Sequence, residues 1–128
     1  MPKTVIRTDA APAPFQGAPY SQAIRSGDFV FVSGQLGLKP GQTALPEGIG
    51  AQTAQVLANL AAILEAAGSS PAHIVKTTVF LADLGDFAAM NELYAGFVGG
   101  QPPARSTFQV AKLPSGALIE IEAIARVA

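Results

Sequence analysis

The stretch Ala117–Val127 alternates with a period of two. Ile119, Ile121, Ala123, Ala125 and Val127 fall on one side, and Glu120, Glu122 and Arg126 on the other. A helix would scatter these residues around its axis. A strand sorts them onto two faces, because successive side chains leave a pleated sheet in opposite directions. A strand with one apolar and one charged face needs neighbours along its edges and a layer over its apolar side. This pattern excludes an all-helical chain and asks for a sheet covered on one face.

The rest of the chain supplies the cover. Gln52–Ala67 carries Leu57, Leu60, Ala61 and Leu64 at helical spacing, with Gly68 and Pro71 as stop signals. Asp86–Val98 carries a second stripe, Phe87, Met90, Tyr94 and Phe97. Asp83 or Asp86 is placed to cap it, and Gly99-Gly100 ends it. Strands are predicted at Thr4–Arg7, Phe29–Ser33, Ile74–Leu81, Ala104–Ala111 and Ala117–Val127. In the third of these, Ile74–Leu81, Val75, Val79 and Leu81 are expected to point one way, and Lys76 and Thr78 the other. A turn at Pro114-Ser115-Gly116 joins the last two strands as a hairpin. Ala10–Tyr20, with Pro12, Pro14 and Pro19, is a stiff irregular lead-in, and Gly37–Gly50 is a loop. The expected order is β-β-α-β-α-β-β: one α+β domain over residues 1–128, a mixed sheet with both helices on one face.

Composition limits what this domain does. Of 128 residues 49% are hydrophobic and only 13% charged, against about 25% charged in an average domain. A small globule with so few charges leaves apolar surface outside unless something covers it. A membrane is excluded as that cover, since no run reaches the roughly 18–20 apolar residues of a spanning helix. Val56–Ala67, the most apolar region, is broken by Asn59 and Glu65. The remaining cover is another copy of the chain, so an oligomer is expected. Lys3 and Arg7 are followed by no apolar signal segment, so a cytoplasmic location is expected. Eight scattered Lys and Arg against nine Asp and Glu argue against nucleic acid as the main partner. With no cysteine, thiol chemistry is excluded.

The polar residues on the last two strands are the candidate chemistry. Parity places Arg105, Thr107 and Gln109 together, and the expected hairpin puts Arg105 and Thr107 on one sheet face with Glu120 and Glu122. A guanidinium fork suits a planar carboxylate, and a neighbouring carboxylate suits the holding of a water. On pattern alone a plain cross-strand ion pair, or a solvated face, outweighs a site. Other residues say less. His73, the only histidine, has no partners for a triad or a zinc site. Glu120 and Glu122 without histidines make a poor metal site, and none is expected. Gly34, Gly37 and Gly41 lack the Lys-Ser or Lys-Thr of a phosphate loop. Asn91 lies off its helix's apolar stripe, and Tyr20 follows Pro19 in the rigid lead-in, where it reads as an aromatic plug.

Five segments, in order, resemble the Rid family, also called the YjgF family. They are Ala18-Pro19-Tyr20-Ser21-Gln22-Ala23, Val32-Ser33-Gly34-Gln35, Ile74–Leu81, Pro103-Ala104-Arg105-Ser106-Thr107 and Ile119–Ala125. The resemblance spans essentially the whole chain. It implies a chorismate-mutase-like α+β fold, a homotrimer with sites in clefts between subunits, and no cofactor. It implies hydrolysis of reactive enamines and imines, such as 2-aminoacrylate and 2-aminocrotonate, to 2-oxo acids and ammonia. It assigns Arg105 to the substrate carboxylate and Glu120 to the attacking water. Tyr20, Ser33 and Asn91 would line the cleft, with Thr107 offering its backbone N–H where the family archetype has a cysteine. Three other readings are a sensor that binds 2-oxo acids without turnover, a ribonuclease or translation inhibitor, and a chorismate mutase. The scattered cations weigh against the second, and a single clear cation weighs against a substrate with two carboxylates.

Overall fold

The computed structural model describes residues 2–128. Six strands and two long helices alternate along the chain: β1 (Thr4–Ile6), β2 (Ala23–Ser26), β3 (Phe29–Leu36), α1 (Ile49–Ala66), β4 (Ile74–Leu81), α2 (Phe87–Val98), β5 (Ala104–Gln109) and β6 (Ile119–Arg126). The sheet order is β1-β2-β3-β6-β4-β5. All neighbours are antiparallel except β4 and β5, so the sheet is mixed and the fold is α+β, as expected. No described helix is long and apolar enough to cross a membrane.

The parity of β6 survives intact. Ile119, Ile121, Ala123 and Ala125 are buried, while Glu120 and Glu122 are on the other face. Above the apolar face, Val56, Leu60, Ile63 and Leu64 of α1 and Met90 of α2 join Val30, Val79 and Leu81 in one core. Each such side chain contributes roughly 1.5–3 kcal/mol on leaving water. Helix α1 begins at Ile49, earlier than Gln52, and ends at Ala66 with Gly68 at φ 80°.

Three expectations fail. The first is a missing strand: β2 pairs with β3 from Ser26↔Phe29 onward, closed by Gly27-Asp28 with Gly27 at φ 59°. That Gly-Asp pair between two β-prone runs is a hairpin signal in the sequence. The second is the terminal hairpin. β5 and β6 do not pair, because β4 lies between them. The connection over residues 110–118 passes the end of β4, where Val110 N–H donates to Leu81 O (2.9 Å) and Ala82 N–H to Leu118 O (3.0 Å). The third is Val75, which is 39% exposed rather than aligned with Val79 and Leu81. A register shift between Ile74 and Lys76 buries Ile74 and turns Val75 out.

Three buried amides tie the irregular segments to this frame. Gln22 accepts from Thr8 N–H (2.8 Å) and donates to Thr8 O, Ala11 O and Pro12 O (3.0, 3.2 and 2.8 Å), fixing the proline-rich lead-in. Asn59 on α1 donates to Leu36 O (3.0 Å) and Leu38 O (2.8 Å) beyond the end of β3. Gln52 donates to Pro46 O and accepts from Leu118 N–H, both 2.9 Å. All of these carbonyls but that of Leu36 lie outside the strands, and a buried one left unpaired is costly.

Candidate functional site

Register decides which residues share a face. Arg105, Thr107 and Gln109 of β5 pair with Thr77, Val79 and Leu81 of β4, whose side chains are buried beneath the helices. Paired residues of adjacent strands point to the same side. Arg105 and Thr107 are therefore on the helix-covered face. Glu120 and Glu122 pair with Phe80 and Thr78, on the open face. The expected grouping of Arg105 and Thr107 with Glu120 and Glu122 on one face is wrong. Its cause is the false hairpin: with β4 inserted and β5 parallel to it, parity within each strand no longer fixes the relation between them. Arg105 is level with Thr77, and Glu120 with Phe80, three residues further along β4. Adding the intervening strand, their backbones are offset by roughly 10 Å both along and across the sheet.

Two half-sites result. The first is built around Glu120. A register shift between Val32 and Gln35 sets both Ser33 and Gly34 against the single residue Glu122, between Ile121 and Ala123 of β6. A Cβ at Gly34 would collide with the Glu120 carboxylate and lie 2.8 Å from its Cδ, so glycine gives that carboxylate its room. Ser33 Oγ donates to Ser21 O (2.6 Å), and Tyr20 Oη accepts from Phe15 N–H (2.5 Å). Tyr20, Ser33, Gly34 and Glu120 line a cavity of about 420 Å³ whose remaining wall is largely apolar, with Phe15, Leu36 and Leu38. Burial, and secondarily the Glu122 carboxylate, push the Glu120 carboxyl above its ordinary pKa. A carboxylate held this way is a stronger base than an exposed one and suits a water-orienting role.

The second half-site is built around Arg105 at the edge of the sheet. Its Nη1 donates to Asn91 Oδ1 (2.8 Å) and approaches Met90 Sδ (3.9 Å). Its Cζ stands 4.8 Å from the Tyr94 ring centroid and 5.5 Å from that of Phe87. All four partners are neutral. Both hydrogen bonds leave Nη1, so Nε and Nη2 have no hydrogen-bond partner among the described residues, and Arg105 lines an open groove with Phe87, Asn91 and Pro103. The Nε–Nη2 edge matches the two oxygens of a carboxylate. Thr107 is half-buried beside Arg105, and its Oγ1 is buried with no hydrogen-bond partner.

The structure thus gathers Tyr20, Ser33 and Glu120 into one half-site, and Arg105 and Asn91 into another with Thr107 alongside. His73 is apart from both, its Nδ1 bonded to Ser70 Oγ (2.7 Å) on the surface. No group of three or more metal-ligating side chains occurs among the described residues. Sequence reasoning missed the platform role of Tyr94, which it read only as core, and the role of Gly34 beside Glu120. Neither shows in a pattern, since each depends on a neighbour distant in sequence.

A family model described as endoribonuclease L-PSP matches residues 8–127. The chain belongs to this family, the Rid or YjgF family. Over 124 residues this Rid chain is 51% identical to a RutC family protein of Pyrococcus horikoshii, covering 96% of the chain and 97% of the relative. It is 47% identical to a mouse protein named 2-iminobutanoate/2-iminopropanoate deaminase, covering 96% and 90%. The crystal structure of RidA from an Antarctic Psychrobacter superposes with a TM-score of 0.93 at 46% identity, covering 97% of this chain and 99% of that one. The Rid fold and both half-sites lie within the matched residues.

Proposed function

We propose that the protein hydrolyses 2-imino acids, and the enamines that tautomerise to them, to 2-oxo acids and ammonia. The site would form between two copies of the chain in a homotrimer, and the chemistry would need no cofactor. The observation that carries this reading is Arg105: a cation with only neutral partners, lining an open groove, with Nε and Nη2 left without a hydrogen-bond partner among the described residues. The deaminase names of several relatives support it.

The reaction asks little of the protein. The C2 carbon of an imine is already electrophilic. Arg105 grips the carboxylate with two charge-assisted bonds, each contributing about 1.5–3 kcal/mol. Thr107 lies on an edge strand, where one row of backbone groups has no ladder partner and can donate to the same carboxylate. Glu120 orients a water toward C2 and takes its proton as the C–O bond forms. Glu120 passes that proton, and then the carbinolamine hydroxyl proton, to the nitrogen, which leaves as ammonia as the carbinolamine collapses to the carbonyl. Holding carboxylate, imine and water together supplies most of the effect. An enamine first takes a proton at its carbon, which water can deliver.

A single chain holds Arg105 and Glu120 on opposite faces, so both act on one substrate only if two copies meet. The open face favours such a meeting, with Phe31 45% and Phe108 52% exposed around it.

The test is decay of 2-aminoacrylate generated in place by a dehydratase. Acceleration by the protein, lost in Arg105→Ala, is expected; decay no faster than in buffer sinks the proposal. Glu120→Ala separates catalysis from sensing, since it is expected to lose turnover while still binding a 2-oxo acid. A ribonuclease would instead bind RNA tightly and with steep salt dependence.

A further inference from the structure

An arginine side chain is long and rich in rotamers, so by itself it presents its guanidinium in many poses. Something must hold the guanidinium plane if Arg105 is to meet a carboxylate in one pose. One stripe of α2 does so. Phe87, Met90, Asn91 and Tyr94 lie at i, i+3, i+4 and i+7, and all four touch the Arg105 guanidinium. Asn91 fixes one nitrogen, whereas the Tyr94 ring, at 4.8 Å, sets the plane.

Tyr94 is itself fixed from beneath. Its hydroxyl shares a hydrogen bond of 2.5 Å with Thr77 Oγ1. Thr77 is 1% exposed and Tyr94 5%, so this pair sits in the core. A Val and a Phe would fill the same space without removing two hydroxyls from water, a change often neutral or stabilising. The pair's use is geometric. Thr77 is the register partner of Arg105 on the adjacent strand, so the bond ties the ring to the strand that carries the guanidinium's own backbone.

We propose that Tyr94, anchored by Thr77, is the positioning residue that holds Arg105 in its carboxylate-binding pose. This rests on the reading of Arg105 given above and goes further, assigning its preorganisation to a hydroxyl pair in the core.

The experiment compares Thr77→Val, Tyr94→Phe, the double variant and Tyr94→Leu. Affinity for 2-oxobutanoate is measured by calorimetry, KM and kcat by the coupled assay, and the Arg105 Nε–H resonance by NMR. Thr77→Val and Tyr94→Phe are each expected to weaken binding about three- to fivefold, and the double variant no further, because both remove one bond. Tyr94→Leu, which also loses the ring, is expected to weaken binding about tenfold. KM rises in parallel, and kcat stays within about twofold. The Arg105 resonance, displaced by the ring in the wild type, returns toward its exposed position in Tyr94→Leu. Additive losses in the double variant overturn the proposal. So does a fall in thermal stability with unchanged affinity, which is what a purely structural pair would give. If the wild type neither binds nor hydrolyses, the deaminase reading fails, while the Arg105 resonance still decides the positioning: the same resonance in wild type and Tyr94→Leu overturns it.

Discussion

Glu120 illustrates how one residue's environment sets its chemistry. Its carboxyl is pushed up by burial first and by Glu122 second. A folded pKa above the unfolded one means that the native state binds the proton more tightly. The stabilisation is complete below the unfolded pKa and is lost as pH rises through the raised folded value. Glu120→Gln is therefore expected to flatten the dependence of Tm on pH across that window and to raise Tm at neutral pH. Differential scanning calorimetry from acid to neutral pH checks both. Under the deaminase reading the acid limb of kcat/KM reports the same group, and Glu122→Gln is expected to move that limb to lower pH. Gly34→Ala acts on Glu120 by contact, since the new Cβ displaces the carboxylate. A fall in kcat of about 10- to 100-fold is expected, with 2-oxobutanoate affinity within about twofold. Gly37→Ala has no such soft neighbour. Its Cβ would stand 2.7 Å from the Gln52 backbone oxygen, so a loss of about 1–3 kcal/mol in urea unfolding is expected.

At the scale of elements, the helices and most strands are legible because burial is periodic within each. The stripes of α1 and α2 and the alternation of β6 are local patterns, and each side of them meets one environment. Val75 shows where such reading stops: a bulge changes parity at the start of β4, and no residue type announces it. The buried amides show another limit. Asn59 reads as an interruption of an apolar helix, yet it bonds two carbonyls more than twenty residues away. Asn59→Leu should cost about 2–3 kcal/mol despite the gain in hydrophobicity, because Leu36 O and Leu38 O lose their donor. Chemical denaturation measures this, and unchanged stability would show that water replaces the amide. Leu60→Ala removes a fully buried contact between α1 and the sheet, and a cost of about 2–5 kcal/mol is expected.

At the scale of the molecule, the two half-sites make an oligomer testable through function. Arg105→Ala and Glu120→Ala are each expected to be inactive. Mixed, unfolded and refolded together at equal ratio, they should regain about a quarter of wild-type activity, because a site needs Arg105 from one copy and Glu120 from the next. No recovery, with mixed assemblies shown by mass spectrometry, would place each site within one chain. Light scattering is expected to give a mass near three times the 13.0 kDa chain, and Phe31→Glu on the open face to lower it.

The sequence by itself determined a one-sided sheet under two helices, and named Arg105 and Glu120 as the polar residues worth following. It did so because alternation and helical stripes are written in consecutive residues, and because charges are scarce in this chain. Tertiary structure alone decided how these residues relate. The insertion of β4 between β5 and β6, and the parallel pairing of β5, turned Arg105 toward the helices and left Glu120 on the open face. Strand order depends on which surfaces pack together once the chain collapses, and that is a property of contacts between distant segments rather than of any run of residues.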